Sequence, residues 1–260
     1  MLRKLPVVLG VIFILLMAGS SYALKDNMMA AWTFEDEGDD FIHDVSGNGN
    51  DGAFIGGVEW TDGKFGEALR FNGTASHIEL PFADSINVLN KSDFTFATWF
   101  VTDEVPASNR VVLQQLDLNG TGRTWLYIVG GTAEVATHVG GTRTSSGVNA
   151  IPGEWHHAAV VVTEGGGTDT VQVYVDGEPA GAPGKLGMED SEGTFHIGAH
   201  KNAANNVWFG VLDEMVIFDK ALSKAEINSL MTRGIVGVQA VDPTSKLAAT
   251  WGNIKSGIGQ

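Results

Sequence analysis

Cysteine is absent from the 260-residue sequence, which excludes disulfide bonds, thiolate metal sites and a cysteine nucleophile. Basic residues are scarce, because 16 Lys and Arg stand against 31 Asp and Glu, for a formal net charge of −15. Nucleic acids and anionic membrane surfaces attract basic proteins, so we expect neither as a partner. Without disulfides, the fold must be held by its core, and a bound ion could add to its stability.

A single long hydrophobic run is present, at residues 5–18, directly after Arg3 and Lys4. The run is shorter than the roughly 20 residues of a membrane-spanning helix. The sequence SYA at 21–23 then matches the small-x-small pattern of a signal-peptide cleavage site. We therefore predict a signal peptide over residues 1–23 and a secreted or cell-surface protein with no membrane span after cleavage. An uncleaved membrane anchor is the alternative.

Glycine is abundant, with 34 residues, and separates many short runs in which apolar and polar residues alternate. Alternation is typical of antiparallel strands, because successive side chains of a strand point to opposite faces. We therefore predict one all-β domain over residues 24–234, a two-sheet antiparallel β-sandwich of the jelly-roll type. The predicted strands cover residues 29–34, 67–72, 76–80, 94–101, 111–116, 123–129, 133–139, 155–163, 170–176, 194–197 and 207–218.

One short C-terminal helix is predicted at the end of this domain. Ser223 and Glu226 have the spacing of a capping box, apolar residues follow on one helix face, and Gly234 can end the helix. We assign residues 235–260 to a flexible C-terminal tail. Either the tail is a disordered terminus without a role, or it is a sorting or docking peptide.

Several sequence blocks occur in a fixed order between residues 28 and 234. They are AWTFE (31–35), DVSGNGN (44–50), GKFGEALRFNG (63–73), DFTFATW (93–99), GEWHHA (153–158), YVDG (174–177), FGVLDEMVIF (209–218) and ALSKAEI (221–227). In this order the blocks resemble the laminin G-like domains of the concanavalin A-like lectin and glucanase family. The resemblance implies a β-sandwich. It says much less about activity, since one fold hosts many functions.

The loop DVSGNGNDG at 44–52 is rich in Gly, Asn and Asp. Such a loop can turn carbonyl and side-chain oxygens inward, as a calcium ion with six to eight oxygen ligands requires. Asp213 lies in an apolar predicted strand, where a charge needs a partner, and the resemblance implies an ion between this strand and the loop. We therefore predict a structural Ca²⁺ held by the Asp44 and Asp213 carboxylates, with Asn48 and Asn50, or their backbone carbonyls, completing the shell. The alternative is a turn bonded to itself, with Asp213 accepting backbone N–H bonds.

The histidines indicate no zinc site in the sequence alone. His77 and Glu79 share a strand face, but no third ligand can be identified, and His196 and His200 flank the end of another predicted strand.

Catalytic patterns are missing as well. The sequence has no Glu-x-Asp-x-(x)-Glu string on a credible strand, as some sandwich glycosidases have, and Asp213 and Glu214 are adjacent and so predicted on opposite faces. Neither a Gly-x-Ser-x-Gly elbow nor a phosphate-binding glycine loop occurs. We predict no catalytic residues and no enzyme activity.

Aromatic residues alternate along the predicted strand at 123–129. Arg123, Trp125 and Tyr127 fall on one face, while the aliphatic residues fall on the other, which belongs in the core. Aromatic rings stack on the C–H faces of sugars and Arg supplies hydrogen-bond donors, so we predict this row as the ligand-binding site. The alternative is that a loop covers Trp125.

Together these features predict a secreted, non-catalytic recognition module that binds a glycan or an extracellular protein. Two alternatives remain open from the sequence. One is a polysaccharide-active enzyme of the same sandwich fold, either a glycoside hydrolase or a lyase. The other is a structural or adhesive surface protein.

Overall fold

The computed structural model describes residues 24–36, 38–88, 93–115, 123–139, 142–163, 170–185, 193–200 and 206–239. The predicted signal peptide and residues 240–260 lie outside them. The described elements are β1 (Met28–Trp32), β2 (Phe41–Ile42), β3 (Gly52–Ile55), β4 (Val58–Asp62), β5 (Glu67–Asn72), β6 (His77–Leu80), a 3₁₀ turn (Asp84–Ile86), β7 (Phe94–Thr102), β8 (Arg110–Gln115), β9 (Arg123–Ile128), β10 (Glu134–Val139), β11 (Thr142–Asn149), β12 (His156–Thr163), β13 (Thr170–Val175), β14 (Glu178–Lys185), β15 (Phe195–Ile197), β16 (Phe209–Phe218) and helix α1 (Lys224–Gln239).

The strands form two sheets of eight strands each. Sheet A has the order β14-β13-β12-β7-β16-β5-β4, and β1 also pairs with β16; sheet B has the order β11-β10-β9-β8-β15-β6-β3-β2. Every described pairing is antiparallel. The two-sheet antiparallel sandwich predicted from the sequence is confirmed.

The main core lies between the inner faces of the two sheets. Sheet A contributes large apolar residues such as Trp32, Phe96 and Phe100, and sheet B contributes residues such as Leu126 and Ile197. Because alternate residues of each strand face inward, the apolar half of every alternating run is buried there. Each such large side chain contributes roughly 1.5–3 kcal/mol through burial, so the core can hold the fold without disulfides.

Helix α1 covers part of the outer face of sheet A. The predicted capping box is present, because Ser223 Oγ accepts a bond from the Glu226 N–H (3.3 Å) and Glu226 Oε2 accepts one from the Ser223 N–H (2.8 Å). As predicted, the first helical segment ends at Gly234, whose backbone is non-helical (φ 67°). A second helical segment, which was not predicted, follows directly and continues to Gln239.

The residues after Gly234 belong to the packed domain. Ile235 and Val238 are fully buried in the apolar cluster between α1 and sheet A. The predicted boundary at residue 234 therefore moves to Gln239, since burial of these side chains holds the second helical segment on the sheet.

Five strands were not predicted, namely β2, β3, β4, β11 and β14. The sequence of β14 is EPAGAPGK, with prolines and glycines that argue against a strand. The strand forms because it is the edge of sheet A and pairs with β13 alone, so Pro179 and Pro183 need no second partner for their missing N–H groups.

Candidate functional site

The two outer faces of the sandwich differ in what covers them. Sheet A packs beneath α1, through a cluster that includes Ala97, Val216 and Ile227. On the outer face of sheet B, the small cluster of Val111, Tyr127 and Ala136 is formed by strand residues only. Among the elements that the structure describes, none lies over this face of sheet B. A ligand can therefore approach here without displacing a helix or strand.

A cleft of about 190 Å³ opens on this face, above β8, β9 and β10. Its lining combines an aromatic ring, an aliphatic side chain, two amides and two imidazoles, from Asn109, Val111, Tyr127, His138, His200 and Asn206. This mixture of an apolar surface and hydrogen-bonding groups is typical of small-ligand sites.

Tyr127 is the predicted ligand-binding residue that the structure places in the cleft. Burial raises the pKa of its hydroxyl above the usual range; Arg143 opposes this rise and Glu134 adds to it. The hydroxyl is therefore protonated at neutral pH and can donate a hydrogen bond. The other two predicted residues, Arg123 and Trp125, are in β9, but their side chains lie outside the described part of the structure.

A second, larger cleft of about 360 Å³ lies toward the other edge of sheet B. Its lining is mainly apolar with two carboxylates, from Phe41, Asp51, Gly52, Ala53, Ile55, Glu79 and Pro81. Asp51 also supports the neighbouring loop, because its Oδ1 accepts a bond from the Asp44 N–H (2.8 Å).

Three potential metal ligands converge beside this second cleft. His77 and Glu79 share the outer face of β6, and the pairing with β15 puts His196 directly opposite Glu79. The candidate ligand atoms of the three side chains all lie within 4.8 Å of one another. Both imidazoles are buried and Glu79 is exposed. Burial lowers the pKa of His196, and the neighbouring His77 lowers it further. His196 is thus the third potential ligand, which the sequence alone did not identify.

The 44–50 loop is organised around the buried carboxylate of Asp44. Its Oδ1 accepts bonds from the N–H groups of Ala31 and Ser46 (both 2.9 Å), and its Oδ2 accepts from the Asn50 N–H (3.0 Å) and side-chain amide (2.9 Å). The Asn48 amide donates to the Met28 and Met29 carbonyls (both 3.0 Å). The N–H groups of the loop thus donate to oxygen atoms that a calcium ion would need as ligands.

Asp213 belongs to a different hydrogen-bonded group. Its Oδ2 accepts bonds from the N–H groups of Lys64 (2.8 Å) and Phe65 (2.9 Å), in the turn between β4 and β5. No described residue bonds to the carboxylates of both Asp44 and Asp213. The hydrogen bonds thus join Asp44, Asn48 and Asn50 within one loop and engage Asp213 with another turn, which matches the self-bonded alternative. These contacts do not fit a calcium ion shared by all four residues.

A β-bulge in β16 buries two consecutive acids. Its register with β7 shifts between Asp213 and Val216, and Glu214 has a positive φ of 52°. Burial raises the pKa of Asp213 to about 7 and that of Glu214 to about 8, and the charge of Glu35 adds to both shifts. The Oδ1 atom of Asp213 has no hydrogen-bond partner. Asp213 therefore keeps its proton only up to about pH 7, and Glu214 keeps its proton up to about pH 8.

A histidine and an aspartate fix the β13–β14 hairpin to β12. The Asp176 carboxylate lies 2.9 Å from His156 Nδ1 and accepts the His157 N–H (2.9 Å). Burial alone would raise the pKa of Asp176, but these bonds outweigh it and hold the pKa below its usual range. His157 is fully buried, which lowers its pKa to about 4, so it stays neutral. The pair is structural and lies on sheet A, away from the clefts.

The family model of the concanavalin A-like lectin/glucanases superfamily, Laminin G 3, matches residues 72–228. The chain belongs to this superfamily. No curated protein matches the sequence of this concanavalin A-like domain.

Solved structures similar to this concanavalin A-like domain come from proteins of several kinds. One is domain 4 of AbnA, a GH43 extracellular arabinanase from Geobacillus stearothermophilus, in complex with arabinotriose (TM-score 0.60, 19% identity, covering 78% of this chain and 98% of that one). Another is the binding domain of Paraclostridial Mosquitocidal Protein 1 (TM-score 0.58, 21% identity, 79% and 52%). A third is the Trypanosoma rangeli sialidase in complex with the inhibitor DANA (TM-score 0.60, 17% identity, 77% and 32%).

The present chain spans about half of the toxin binding domain and about a third of the sialidase. At these identities the likeness shows the fold alone. Within the described residues, no helix of this concanavalin A-like domain is long and apolar enough to cross a membrane.

Proposed function

We propose that the chain is a secreted, non-catalytic recognition module that binds a glycan in the cleft around Tyr127. The observation that carries the proposal is the mixed apolar and polar lining of this cleft, on the sheet face that no described element covers. The predicted signal peptide supports export, which places the module where extracellular glycans occur.

The chemistry of the lining suits sugar hydroxyl groups. The Tyr127 hydroxyl can donate, and the Asn206 amide and the imidazoles of His138 and His200 offer further polar groups. Asn109 Oδ1 accepts the Gly130 N–H (3.0 Å), so its NH₂ group remains to donate. Val111 adds apolar surface for C–H groups. At about 190 Å³ the cleft is smaller than the roughly 300–1,000 Å³ of drug-sized pockets, so it suits a single sugar ring of a longer chain.

A binding role without catalysis is supported by the absence of acids from the described lining of this cleft, none of whose residues is Asp or Glu. Hydrolysis of a glycosidic bond needs two carboxyl groups across that bond. The complex of a similar domain with arabinotriose, and the toxin binding domains of the same fold, support recognition of a glycan or a protein in general terms.

The rival function is polysaccharide hydrolysis in the second cleft, because Asp51 and Glu79 both line it. The engagement of Asp51 with the Asp44 N–H argues against a free catalytic role. Turnover of a polysaccharide that survives purification controls and disappears in Glu79→Gln would establish the rival and overturn the non-catalytic proposal.

A glycan array with the purified protein tests the binding proposal, and arabino-oligosaccharides should be among the ligands. We expect the wild type to bind and Tyr127→Ala to bind at least about tenfold more weakly, because it removes the aromatic surface. Tyr174→Ala is the matched control, since Tyr174 packs beneath α1 on sheet A. No glycan bound by the wild type, or equal binding by Tyr127→Ala, would contradict the proposal.

A further inference from the structure

We propose that His77, Glu79 and His196 form a binding site for a zinc-type divalent transition-metal ion on the outer face of sheet B. The site is separate from the predicted calcium site and does not depend on glycan binding.

The backbone holds the three residues in place from both sides. β6 pairs with β3 on one side and with β15 on the other, and β15 also pairs with β8. The residues next to the ligands, Ile78 and Ile197, are fully buried in the main core. The Cβ positions of the ligands are therefore fixed by the core, which is the preorganisation that a metal site requires.

The separation of the ligand atoms is close to what zinc needs. Tetrahedral zinc with bonds of about 2.0–2.1 Å places its ligand atoms roughly 3.3 Å apart. The atoms of the three side chains lie within 4.8 Å of one another, and the two histidine rings have centroids 5.0 Å apart. Binding therefore requires side-chain rotation that brings these atoms closer, while the strand pairing keeps the backbone in place.

The ring nitrogens are also arranged for metal binding. His77 Nδ1 lies 3.4 Å from the Ala75 carbonyl oxygen, a contact that places the proton on Nδ1 and leaves the Nε2 lone pair for a metal. The Nδ1 atom of buried His196 has no hydrogen-bond partner, while the backbone of His200 bonds to the same ring. A histidine ligand is commonly oriented in this way, by a backbone bond at its other nitrogen.

The donor set decides the class of metal. Two imidazole nitrogens and one carboxylate oxygen suit zinc and its neighbours in the first transition series, whereas calcium takes oxygen ligands. The described residues supply three protein ligands. Because Glu79 is exposed, the fourth position faces solvent and the second cleft, where water or a ligand oxygen can fill it.

Zinc titration of the full chain, prepared without a histidine tag, tests the site by calorimetry and by metal analysis after dialysis. We expect about one zinc ion per chain in the wild type. Glu79→Gln and His196→Ala should weaken binding at least about tenfold, because each removes a ligand. His138→Ala is the matched control, since this exposed histidine is on the same sheet face but outside the cluster, and it should bind zinc as the wild type does.

A second readout separates metal binding from folding. Cobalt(II) alone should give visible absorption bands in the wild type and in His138→Ala but not in Glu79→Gln. Glu79 is exposed, so Glu79→Gln should melt at the wild-type temperature without metal. Uptake well below one zinc per chain by the wild type, or unchanged zinc binding by both ligand variants, would overturn the proposal and would show a hydrogen-bonded cluster without a metal.

Discussion

Asp213 and Glu214 are consecutive residues of β16, and both carboxyl groups are buried. In a regular strand one of them would face away from the other. The bulge changes this, and each accepts a backbone N–H from a different segment: Asp213 from the β4–β5 turn and Glu214 from Ile235 in α1. The strand therefore ties the helix and the turn together through two acids whose pKa values are raised.

We expect Asp213 and Glu214 to contribute less to the stability of the wild type as the pH rises from about 4 to 8. A carboxyl group with a raised pKa in the folded state keeps its proton there at pH values where the unfolded chain has already lost it. Its contribution to the free energy of unfolding is therefore full at low pH. This contribution disappears as the pH passes about 7 for Asp213 and about 8 for Glu214. Glu214→Gln should reduce this loss by about 1–3 kcal/mol. Urea unfolding at pH 5 and pH 8.5 measures the pH dependence of the unfolding free energy, and Glu154→Gln, at an exposed position, is the control. The same pH dependence in Glu214→Gln and in the wild type would refute the prediction.

Asp176 should have the opposite pH dependence. Its pKa is lowered in the folded state, so its contribution is present above the unfolded pKa and is lost as the pH falls through the folded value. Asp176→Asn keeps a residue that tolerates the positive φ of 50° but weakens the bonds to His156 and His157. We expect a loss of about 1–2 kcal/mol in unfolding free energy at pH 7 and a smaller loss at pH 3. Equal losses of unfolding free energy at pH 7 and pH 3 would show that the charge of Asp176 does not contribute to stability.

Removal of the Asp44 carboxylate should be costly. Asp44→Ala leaves the buried N–H groups of Ala31 and Asn50 without their acceptor, so we expect a loss of about 3 kcal/mol or more in unfolding free energy. Asp40→Ala, at an exposed position of the preceding loop, is the control and should change stability by less than about 0.5 kcal/mol. Chemical denaturation of both variants checks the difference.

The calcium prediction can be decided by thermal melting. A shared ion with the affinity of extracellular modules would add roughly 0.4–1.4 kcal/mol at millimolar calcium, or a few degrees. The described bonds of Asp44 and Asp213 favour the self-bonded turn, so we expect equal melting temperatures in calcium and in chelator. A calcium-dependent rise in the wild type that is absent in Asp213→Asn would instead support the ion.

Two truncations test whether the packed domain ends at residue 234 or at residue 239. Removal of residues 240–260 should leave the melting temperature unchanged if the packed domain ends at Gln239. Removal of residues 235–260 takes away the buried Ile235 and Val238, each worth roughly 1.5–3 kcal/mol, and the N–H that Glu214 accepts. We expect a clear drop in melting temperature for the longer truncation only. Equal melting temperatures for the two proteins would show that the second helical segment adds no stability.

The sandwich could be predicted from the sequence because its central strands carry their own pattern. β7, β12 and β16 are long, apolar and bounded by turns, and Ser223 and Glu226 mark the helix start by local spacing. The elements that were missed depend on their neighbours. β14 is a strand only because β13 offers an edge, and a second helical segment follows Gly234 because its apolar side chains are buried against sheet A.

The candidate sites, like the strands, could be predicted from the sequence only where the signal is local. Alternation along β9 predicted a row of Arg123, Trp125 and Tyr127 on the outer face, because the face of a residue is a local property, and Tyr127 does line a cleft there. The position of His196 opposite Glu79 was not visible, because half of the described strands separate the two residues in sequence and only the pairing of β6 with β15 joins them. Likewise, the composition of the 44–50 loop predicted oxygen atoms arranged around a cation. In the structure, the Asp44 carboxylate oxygens instead accept hydrogen bonds from N–H groups.

The packing of α1 on sheet A also places the two ends of the described chain close to each other. Leu24 and Val238, near the two ends of the described chain, are buried in the same apolar cluster on sheet A, and the Gln239 amide donates to the Met28 sulfur (3.2 Å). The described chain therefore begins and ends on the same side of the domain, on the outer face of sheet A. A module attached next to either described end would therefore start from the side of sheet A, opposite the face of sheet B on which both clefts open.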